Sequence, residues 1–336
     1  MAATVKVAML SMAHVHAEGY AREVQSIPEA ELVAVWDDDP NRGKPAAEKF
    51  GVPFVSDLDH VLSRGDVDAV VVNAETSKHK GIYLAALDAK KHIFTEKTLT
   101  LTTSDADEVV AATKRAGVKF TVSLPSRTSG ENLLIKKLVD DGTIGDVTMV
   151  RGRVAHSAAL DSWFSGGSQW FVEADKAGGG AMFDLGCHTT DMVRWLMGEP
   201  KSAVAIMETF GDKYQIDDNG VAVVEFKKGG IGILDTSFVH RSGPNLFEVF
   251  GTEGYIGRGF PGSGLFVESR KLKAGDLQGR IVPTNLPANL PSIMRAWVSS
   301  ILQGTPLITT VEDGRNLTEM LEGCYTAWRT GKRYDF

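Results

Sequence analysis

Three polar residues that could transfer protons follow a run of glycines in the middle of the chain. Asp184, His188 and Asp191 stand at i, i+4 and i+7 after Gly178–Gly180, a spacing that places all three on one face of a helix. Histidine titrates near neutral pH, and a neighbouring carboxylate can orient it. The stretch therefore indicates a site of acid–base chemistry, fed by a mobile glycine run. An exposed helix face with a capping aspartate is the alternative interpretation.

A glutamate and a lysine form a second polar pair at the end of a predicted strand. Glu96 and Lys97 follow the strand over 91–95, and ligands bind at the carboxyl ends of strands in open α/β sheets. A lysine there can donate to a substrate oxygen, so Lys97 is a candidate catalytic residue and Glu96 a candidate cofactor ligand. A surface ion pair is the competing interpretation. The segment after the preceding strand offers three more candidate cofactor ligands: Asn73, Glu75 and His79.

The turn after the first strand stands where a dinucleotide fingerprint would lie. A GxGxxG motif would need glycines at the positions of Ser11, Ala13 and His16. Small residues at the first two positions still let a pyrophosphate approach the backbone, whereas His16 is large. A plain strand–helix turn without a ligand is the alternative. His14 and His16 alone are too few ligands for zinc, so we predict no metal. The candidate cofactor ligands of this turn are Ser11, Met12, Ala13 and His14.

Acidic residues at the end of the second predicted strand indicate which dinucleotide would bind. Asp37 lies 26 residues after Ser11, near the distance at which an acidic residue binds the adenine ribose. Asp38 adds a negative charge that would repel a 2′-phosphate. The two residues favour NAD as the cofactor over NADP. Alternatively, Asp37 and Asp39 merely cap the next helix, which begins at Pro40.

The composition argues against several classes of protein. The chain has 336 residues, a net charge of −7 and two cysteines, Cys187 and Cys324. An acidic balance without a basic cluster argues against nucleic acid and anionic membranes as partners. Two distant cysteines suit a reducing compartment, so the cytoplasm is the expected location. We identify neither a signal peptide nor an apolar run of the roughly 18 residues that a membrane span needs.

The order of predicted strands and helices indicates two kinds of α/β architecture in one chain. Over 1–124, buried strands alternate with helices, which predicts a parallel sheet covered on both faces. Over 125–290, most strand-like runs follow one another without intervening helices, which predicts an antiparallel sheet. Residues 291–336 hold two helices that would pack back on these domains.

Aromatic and charged residues of the second domain are candidates for substrate binding. The loop over 157–176 carries several aromatic side chains, which either cover a pocket or pack the loop down. Asp191 would bind a substrate hydroxyl or brace His188. The weaker substrate-side candidates are Arg127, His156, Trp163, Trp170 and His240.

Four features, in this combination and order, resemble the glucose–fructose oxidoreductase and inositol dehydrogenase (Gfo/Idh/MocA) family. They are Asp37 at a strand end, Glu96-Lys97 in place of the family's Glu-Lys-Pro, the stretch over 177–181, and Asp-x-Gly-x-His-x-x-Asp over 184–191. The resemblance implies a Rossmann-like doubly wound parallel sheet, then an α/β domain with a large open, mainly antiparallel sheet. It also implies a homodimer or homotetramer that forms through the open sheet.

The same resemblance implies NAD(P)-dependent oxidation or reduction at a carbinol carbon of a sugar, polyol or related small molecule. Lys97 and His188 match the family's catalytic lysine and histidine, and Asp184 matches its acidic partner. Thr98 replaces the family's proline, so whether the Lys97–Thr98 peptide is cis stays open. Two alternatives also stay open. One is a cofactor-retaining, redox-assisted enzyme, and the other is a catalytically silent sugar-binding or regulatory protein.

Overall fold

A six-stranded parallel sheet forms the first half of the molecule. The structure is a computed structural model and describes residues 4–211, 213–272 and 279–336. The strands of the first sheet are β1 (Val5–Leu10), β2 (Ala30–Trp36), β3 (Phe54–Val55), β4 (Ala69–Val72), β5 (His92–Thr95) and β6 (Phe120–Val122). They lie in the order β3-β2-β1-β4-β5-β6, and every pair is parallel.

Helices connect these strands and cover both faces of the sheet, as predicted. Because β1 pairs with both β2 and β4, the strand order reverses beside β1. A crevice opens at the carboxyl ends of the strands at such a point, and ligands of doubly wound sheets bind there. The connecting helices are α1 (Ala17–Ser26), α2 (Pro40–Phe50), α3 (Leu58–Ser63), α4 (His79–Asp88) and α5 (Thr103–Ala116).

Local sequence signals account for the ends of α2. Asp39 accepts a hydrogen bond from the backbone N–H of Asn41 at 2.9 Å, and Pro40 occupies the first turn, where its missing N–H costs nothing. Gly51 ends the helix with φ +70°, a conformation that glycine adopts readily. The predicted role of Asp39 as a cap is confirmed. The next two elements, β3 and α3, are too short to show a periodic pattern and were not predicted.

An eight-stranded mixed sheet forms the second half of the molecule. Its order is β13-β12-β11-β7-β10-β9-β8-β14, counting strands along the chain. The strands are β7 (Val147–Ala155), β8 (Pro200–Glu208), β9 (Asn219–Phe226), β10 (Ile231–Ser237), β11 (Phe247–Gly251), β12 (Gly254–Arg258), β13 (Phe266–Ser269) and β14 (Tyr334–Asp335).

The sheet is mainly antiparallel, as predicted, but its centre is not. β7 and β10 are parallel neighbours, because the chain leaves β7 through a long helical crossover and returns through β8 and β9. Helices pack on one face, whereas the other exposes apolar side chains from β8, β9 and β10. That exposed row consists of Val204, Ile206, Val221, Val223 and Ile231.

The remaining helices join the two sheets. Trp297 of α10 is fully buried and belongs to the apolar core of the first sheet together with Phe94. The last helix, α11, packs against α5 of the first domain and against β8 of the second. These helices are α6 (Gly130–Asp140), α7 (Ala174–Ala177), α8 (Ala181–Asp184), α9 (Cys187–Met197), α10 (Ile293–Gln303) and α11 (Val311–Thr330).

The predicted helix over 184–198 is divided into two, which corrects the one-face interpretation. Asp184 ends α8, Leu185 and Gly186 separate the helices, and His188 lies in the first turn of α9. A Cβ at Gly186 would lie 2.5 Å from the carbonyl oxygen of Met182, so only glycine fits this close approach. Among the residues that the structure describes, no helix is both long and apolar enough to cross a membrane.

Candidate active site

An ion pair between Lys97 and Asp184 joins the two domains. Lys97 follows β5, and its Nζ donates to Oδ1 of Asp184 at 2.6 Å and to the backbone oxygen of the same residue at 2.9 Å. The Lys97–Thr98 peptide is cis. Burial lowers the pKa of the Lys97 ammonium, but the Asp184 carboxylate outweighs burial and holds this pKa above its usual value. Lys97 is therefore a cation at neutral pH and donates from a fixed position.

His188 reaches the same place from the second domain. It lines a cavity of about 220 Å³ together with Lys97. Burial, and then the charge of Lys97, lower the pKa of the His188 imidazole to about 4. At neutral pH its ring is therefore neutral and can accept a proton. Lys97 and His188, from separate sheets, thus line one cavity.

The glycines before α8 provide close packing rather than a mobile hinge, which corrects the sequence-based interpretation. Gly180 donates its N–H to Oδ1 of Asp217 at 2.7 Å, and Met182 donates to Oδ2 at 2.9 Å. A Cβ at Gly180 would lie 1.9 Å from the backbone oxygen of Asp217. The Tyr325 hydroxyl also donates to Asp217, at 2.7 Å. Asp217 and Tyr325 thus fix the start of α8, and nothing in their local sequence indicated this.

Arg127 and Asp191 bind each other rather than facing the cavity. The Arg127 guanidinium donates to both oxygens of Asp191, at 3.1 and 2.6 Å, and to Oδ1 of Asp313 at 2.8 Å. Arg127 and Asp191 are both buried. These bonds engage both side chains within the protein and do not support the expectation that they bind substrate or that Asp191 braces His188.

The turn after β1 keeps the backbone shape of a glycine motif without its glycines. Ser11 has φ +71°, which a non-glycine residue adopts only at some cost. Its Oγ accepts the N–H of Ala13 at 3.2 Å, and Met12 donates its N–H to Asp37 Oδ2 at 2.7 Å. Hydrogen bonds to the side chains of Ser11 and Asp37 thus hold this turn in a conformation that glycine would adopt without cost.

The acidic strand end is already paired with cations of the chain. Arg42 donates to both oxygens of the buried Asp37, at 2.8 and 3.3 Å, and to Asp38 at 2.9 Å. Lys78 binds Asp38 and lies 2.8 Å from Glu75. Two cations of the chain are thus paired with Asp38, and its repulsion of a 2′-phosphate stays a prediction.

Several buried polar atoms at the carboxyl ends of the strands have no hydrogen-bond partner within the described part of the chain. They include Oδ1 of Asn73, Oγ1 of Thr98 and Nε2 of His14, and such atoms fit a crevice that receives a polar ligand. His79 is different, since its ring nitrogens lie 3.0 Å from the backbone oxygens of Ala74 and Thr98. The expected cofactor contact of His79 is therefore corrected to a structural role.

The loop over 157–176, which carries several aromatic side chains, packs against the turn after β1 through Trp170. Trp170 is buried, and its Nε1 donates to the backbone oxygen of Ala13 at 3.1 Å. Trp170 also lines a small cleft with Lys97 and Asp184, so its substrate-side role stays a prediction. His156 stacks on Phe238, with ring centroids 5.1 Å apart, and the 56% exposed Trp163 packs beside it. His240 Nδ1 lies 2.8 Å from a guanidinium nitrogen of Arg153, while its ring, like that of His156, stays partly exposed.

A cluster around Glu96 was missed as a unit by sequence reasoning. His16 Nδ1 lies 2.8 Å from Glu96 Oε1, and the Tyr20 hydroxyl contacts both Glu96 and Ser123. Burial alone would raise the pKa of Glu96, but His14, His16 and Lys97 together hold it well below its usual value. The hydrogen bond to Glu96 in turn raises the pKa of His16. The cluster lines the same cavity as Lys97.

Family models match both halves of the chain. One described as the oxidoreductase family, NAD-binding Rossmann fold, matches residues 6–124, and one described as the GFO/IDH/MocA C-terminal domain matches residues 133–257. The chain belongs to the Gfo/Idh/MocA family. The 1,5-anhydro-D-fructose reductase of Ensifer adhaerens is 32% identical over 232 residues, or 68% of each protein. The myo-inositol 2-dehydrogenase of Thermotoga maritima is 30% identical over 247 residues, or 70% of each.

Solved structures of similar proteins share the fold over the whole chain. GenD2 from gentamicin A biosynthesis, in complex with NAD, has a TM-score of 0.82 and 25% identity, covering 100% of this chain and 97% of that one. Levoglucosan dehydrogenase with NADH and levoglucosan has a TM-score of 0.85 at 21% identity, covering 99% of both, and shows the same fold.

This Gfo/Idh/MocA protein is an oxidoreductase with an NAD-binding Rossmann domain. Its residues fit the cofactor in two respects. The left-handed backbone at Ser11 preserves the turn by which a pyrophosphate approaches helix α1. The unpaired buried oxygens of Asn73 and Thr98, as judged within the described residues, offer polar partners in the crevice beside it.

Proposed function

We propose that the chain is an NAD-dependent dehydrogenase or reductase that acts on a hydroxyl-bearing carbon of a sugar, polyol or related small molecule. The observation that carries this proposal is the convergence of Lys97 and His188, from separate domains, on one cavity. Relatives named as a reductase of an anhydro sugar and as an inositol dehydrogenase support this substrate class.

In this proposal, His188 and Lys97 act on the same substrate oxygen. His188 accepts the hydroxyl proton during oxidation and returns it during reduction, which its neutral ring allows. Lys97 donates a hydrogen bond to that oxygen and stabilises the negative charge that develops on it. Asp184 keeps Lys97 protonated and in position. NAD supplies the hydride-accepting chemistry when it is bound.

The cofactor would lie along the carboxyl ends of β1, β2 and β4. The turn at Ser11, Met12 and Ala13 would hold the pyrophosphate, with Asn73 and Glu96 nearer the reacting end. Asp37 would bind the adenine ribose once the guanidinium of Arg42 shifts, since Arg42 now contacts both of its oxygens. A carboxylate at this position supports NAD over NADP.

The exposed face of the second sheet supports self-association. Ile206 and Val221 are cross-strand partners and are 72% and 43% exposed. A flat apolar face of this kind is typical of an interface, and we assign it to a second copy of the chain in a homodimer or homotetramer. The three units 1–124, 125–290 and 291–336 and the cytoplasmic location also remain our proposals.

A cofactor-retaining enzyme is the second candidate, and one contact favours it. The Nε1 of Trp170 donates to the backbone of Ala13 in the nucleotide turn. A dinucleotide held beneath this contact would leave only after the loop opens. Purified protein that releases NAD or NADH on denaturation, yet accumulates no NADH with substrate, would support this candidate.

The test of the main proposal separates turnover from cofactor binding. NAD reduction is measured with a panel of sugars and inositols, beside calorimetric titration of NAD. We expect Lys97→Ala and His188→Ala each to abolish turnover while NAD still binds. Full turnover in both variants would overturn the roles of these residues. Saturable sugar binding without any NAD binding would instead indicate a catalytically silent protein.

A further inference from the structure

Two histidines and a glutamate form a compact cluster beside the cavity. His14, His16 and Glu96 each place one potential ligand atom within 4.8 Å of the others. His16 Nδ1 lies 2.8 Å from Glu96 Oε1, and His14 Nε2 lies 3.8 Å from Glu96 Oε2. The sequence contributes only the His-x-His pair, which is too few ligands. The fold adds the third by bringing the end of β5 beside the turn after β1.

His14 is a buried histidine, and one of its ring nitrogens makes no hydrogen bond with the residues that the structure describes. His14 is 3% exposed, and the nitrogen in question is Nε2. A buried polar atom without a partner is costly. The 3.8 Å gap between this Nε2 and Glu96 Oε2, too long for a hydrogen bond, is where a bound ion would join them.

We propose that His14, His16 and Glu96 bind a divalent transition-metal ion, with zinc as the best match. Two imidazole nitrogens and one carboxylate are a ligand set of catalytic zinc sites, which keep a further position open. The open position here would face the cavity, because His16 and Glu96 line it together with Lys97 and His188.

Metal binding requires a defined change in protonation at both histidines. The backbone N–H of His16 donates to Nδ1 of His14 at 3.2 Å, so the neutral ring of His14 carries its proton on Nε2. Coordination through Nε2 moves this proton to Nδ1 and ends that long hydrogen bond. The metal also takes the place of the proton between His16 Nδ1 and Glu96, and this proton moves to Nε2 of the exposed His16 ring. The exchange replaces a weak hydrogen bond with a metal–nitrogen bond.

The charges around the cluster suit a divalent cation. The cavity beside the cluster is lined by two carboxylic side chains, Glu23 and Glu96, and by one lysine, Lys97. Acidic side chains attract a cation to such a place. The metal would polarise a substrate oxygen in this cavity. Metal binding itself does not depend on the proposed dehydrogenase function.

The experiment uses the full-length chain treated with a chelator and then dialysed. Calorimetric titration with Zn²⁺ should give one site per chain, and Co²⁺ should give the visible absorption of a four- or five-coordinate ion. His16→Gln and Glu96→Gln should each weaken Zn²⁺ binding by more than the roughly 10- to 100-fold that loss of an outer-shell partner costs. His14→Gln is a third variant that removes the buried ligand.

A matched control variant and circular dichroism of each variant separate loss of the metal site from loss of the fold. His60 is exposed on α3 outside the cluster, so His60→Gln should bind Zn²⁺ as the parent does. Far-ultraviolet circular dichroism of each variant shows that it is folded. Absence of binding in the folded parent overturns the proposal, and so does equal affinity in the parent and in His16→Gln and Glu96→Gln. Neither measurement requires turnover, so failure of the dehydrogenase proposal would leave this result unchanged.

Discussion

The Nζ atom of Lys97 lies 2.6 Å from Oδ1 of Asp184, although one residue follows a strand of the first sheet and the other ends a helix that packs on the second sheet. A single ion pair thus sets both the distance between the domains at the cavity and the charge state of the lysine. Replacing the carboxylate of Asp184 with an amide of similar shape should therefore change the chemistry while the packing of the side chain is kept.

Asp184→Asn should lower kcat/KM by about 100-fold, in the range that a positioned acid–base group contributes. Asp184 counteracts burial and raises the pKa of Lys97, so without it Lys97 loses its proton at lower pH. The basic limb of the pH–rate profile should move to lower pH. Asp175→Asn, an exposed carboxylate on α7, is the control. An unmoved basic limb in Asp184→Asn would show that Asp184 does not act through Lys97.

The acid limb of kcat/KM should lie near pH 4, below the usual range of histidine. His188 must be neutral to accept a proton, and burial together with Lys97 lowers its pKa to about 4. Activity should therefore persist as the pH falls through 6.5 and decline only as His188 becomes protonated. The check is a pH–rate profile of the parent that extends below about pH 4, with circular dichroism to show that the protein stays folded over that range. An acid limb near 6.5 would contradict the buried, neutral histidine.

The order of elements could be predicted from local patterns, because strands and helices alternate in the first domain with short, readable connections. Asp39 and Gly51 illustrate this, since each ends a helix through its own backbone or side-chain preference. The parallel pairing of β7 with β10 could not be predicted. It depends on which strands meet after a long crossover, and no local signal encodes that.

The same difference between local signals and long-range pairings applies to the candidate site. Lys97 and His188 were identified by residue type and motif, and both face the cavity. Arg127 and Asp191 have equally suitable side chains, yet the fold brings them together and buries them. Glu96 joins the two histidines of the β1 turn only because β1 and β5 flank β4 in the sheet. Contacts between segments that are distant in sequence therefore decide which polar residues remain available to bind a ligand.

Arg127→Ala should destabilise the fold by about 3–5 kcal/mol, the usual cost of leaving one partner of a buried ion pair uncompensated. Asp191 would remain buried without its two hydrogen bonds. Urea unfolding should show a lower midpoint, while KM of the folded variant stays close to that of the parent. Arg22→Ala, which removes an exposed pair with Glu18, should leave the midpoint nearly unchanged. A raised KM with unchanged stability would restore the substrate-binding role.

Asp38→Ala should increase the affinity for NADP relative to NAD by roughly 10- to 100-fold, the equivalent of one charge-assisted hydrogen bond. Asp38 now binds both Arg42 and Lys78, and its removal would leave these cations to contact a 2′-phosphate. Titration of the variant with NADP and NAD measures the ratio. Asp38→Ala combined with Lys78→Ala should reverse the gain. An unchanged ratio would show that the cations do not reach the 2′ position.

Ile206→Lys should dissociate the oligomer that we assign to the exposed sheet face. Ile206 pairs with Val221 across the strands, and Val204 pairs with Val223 beside it, so a lysine there would place a charge within a continuous apolar surface. Burying that charge without a partner costs more than the lost apolar contact alone. Sedimentation velocity should give a smaller species for Ile206→Lys. Val282→Lys, another exposed apolar position, should keep the parental size. A parental size for Ile206→Lys as well would place the interface elsewhere, because one lysine for each protomer at the centre of this face could not be accommodated.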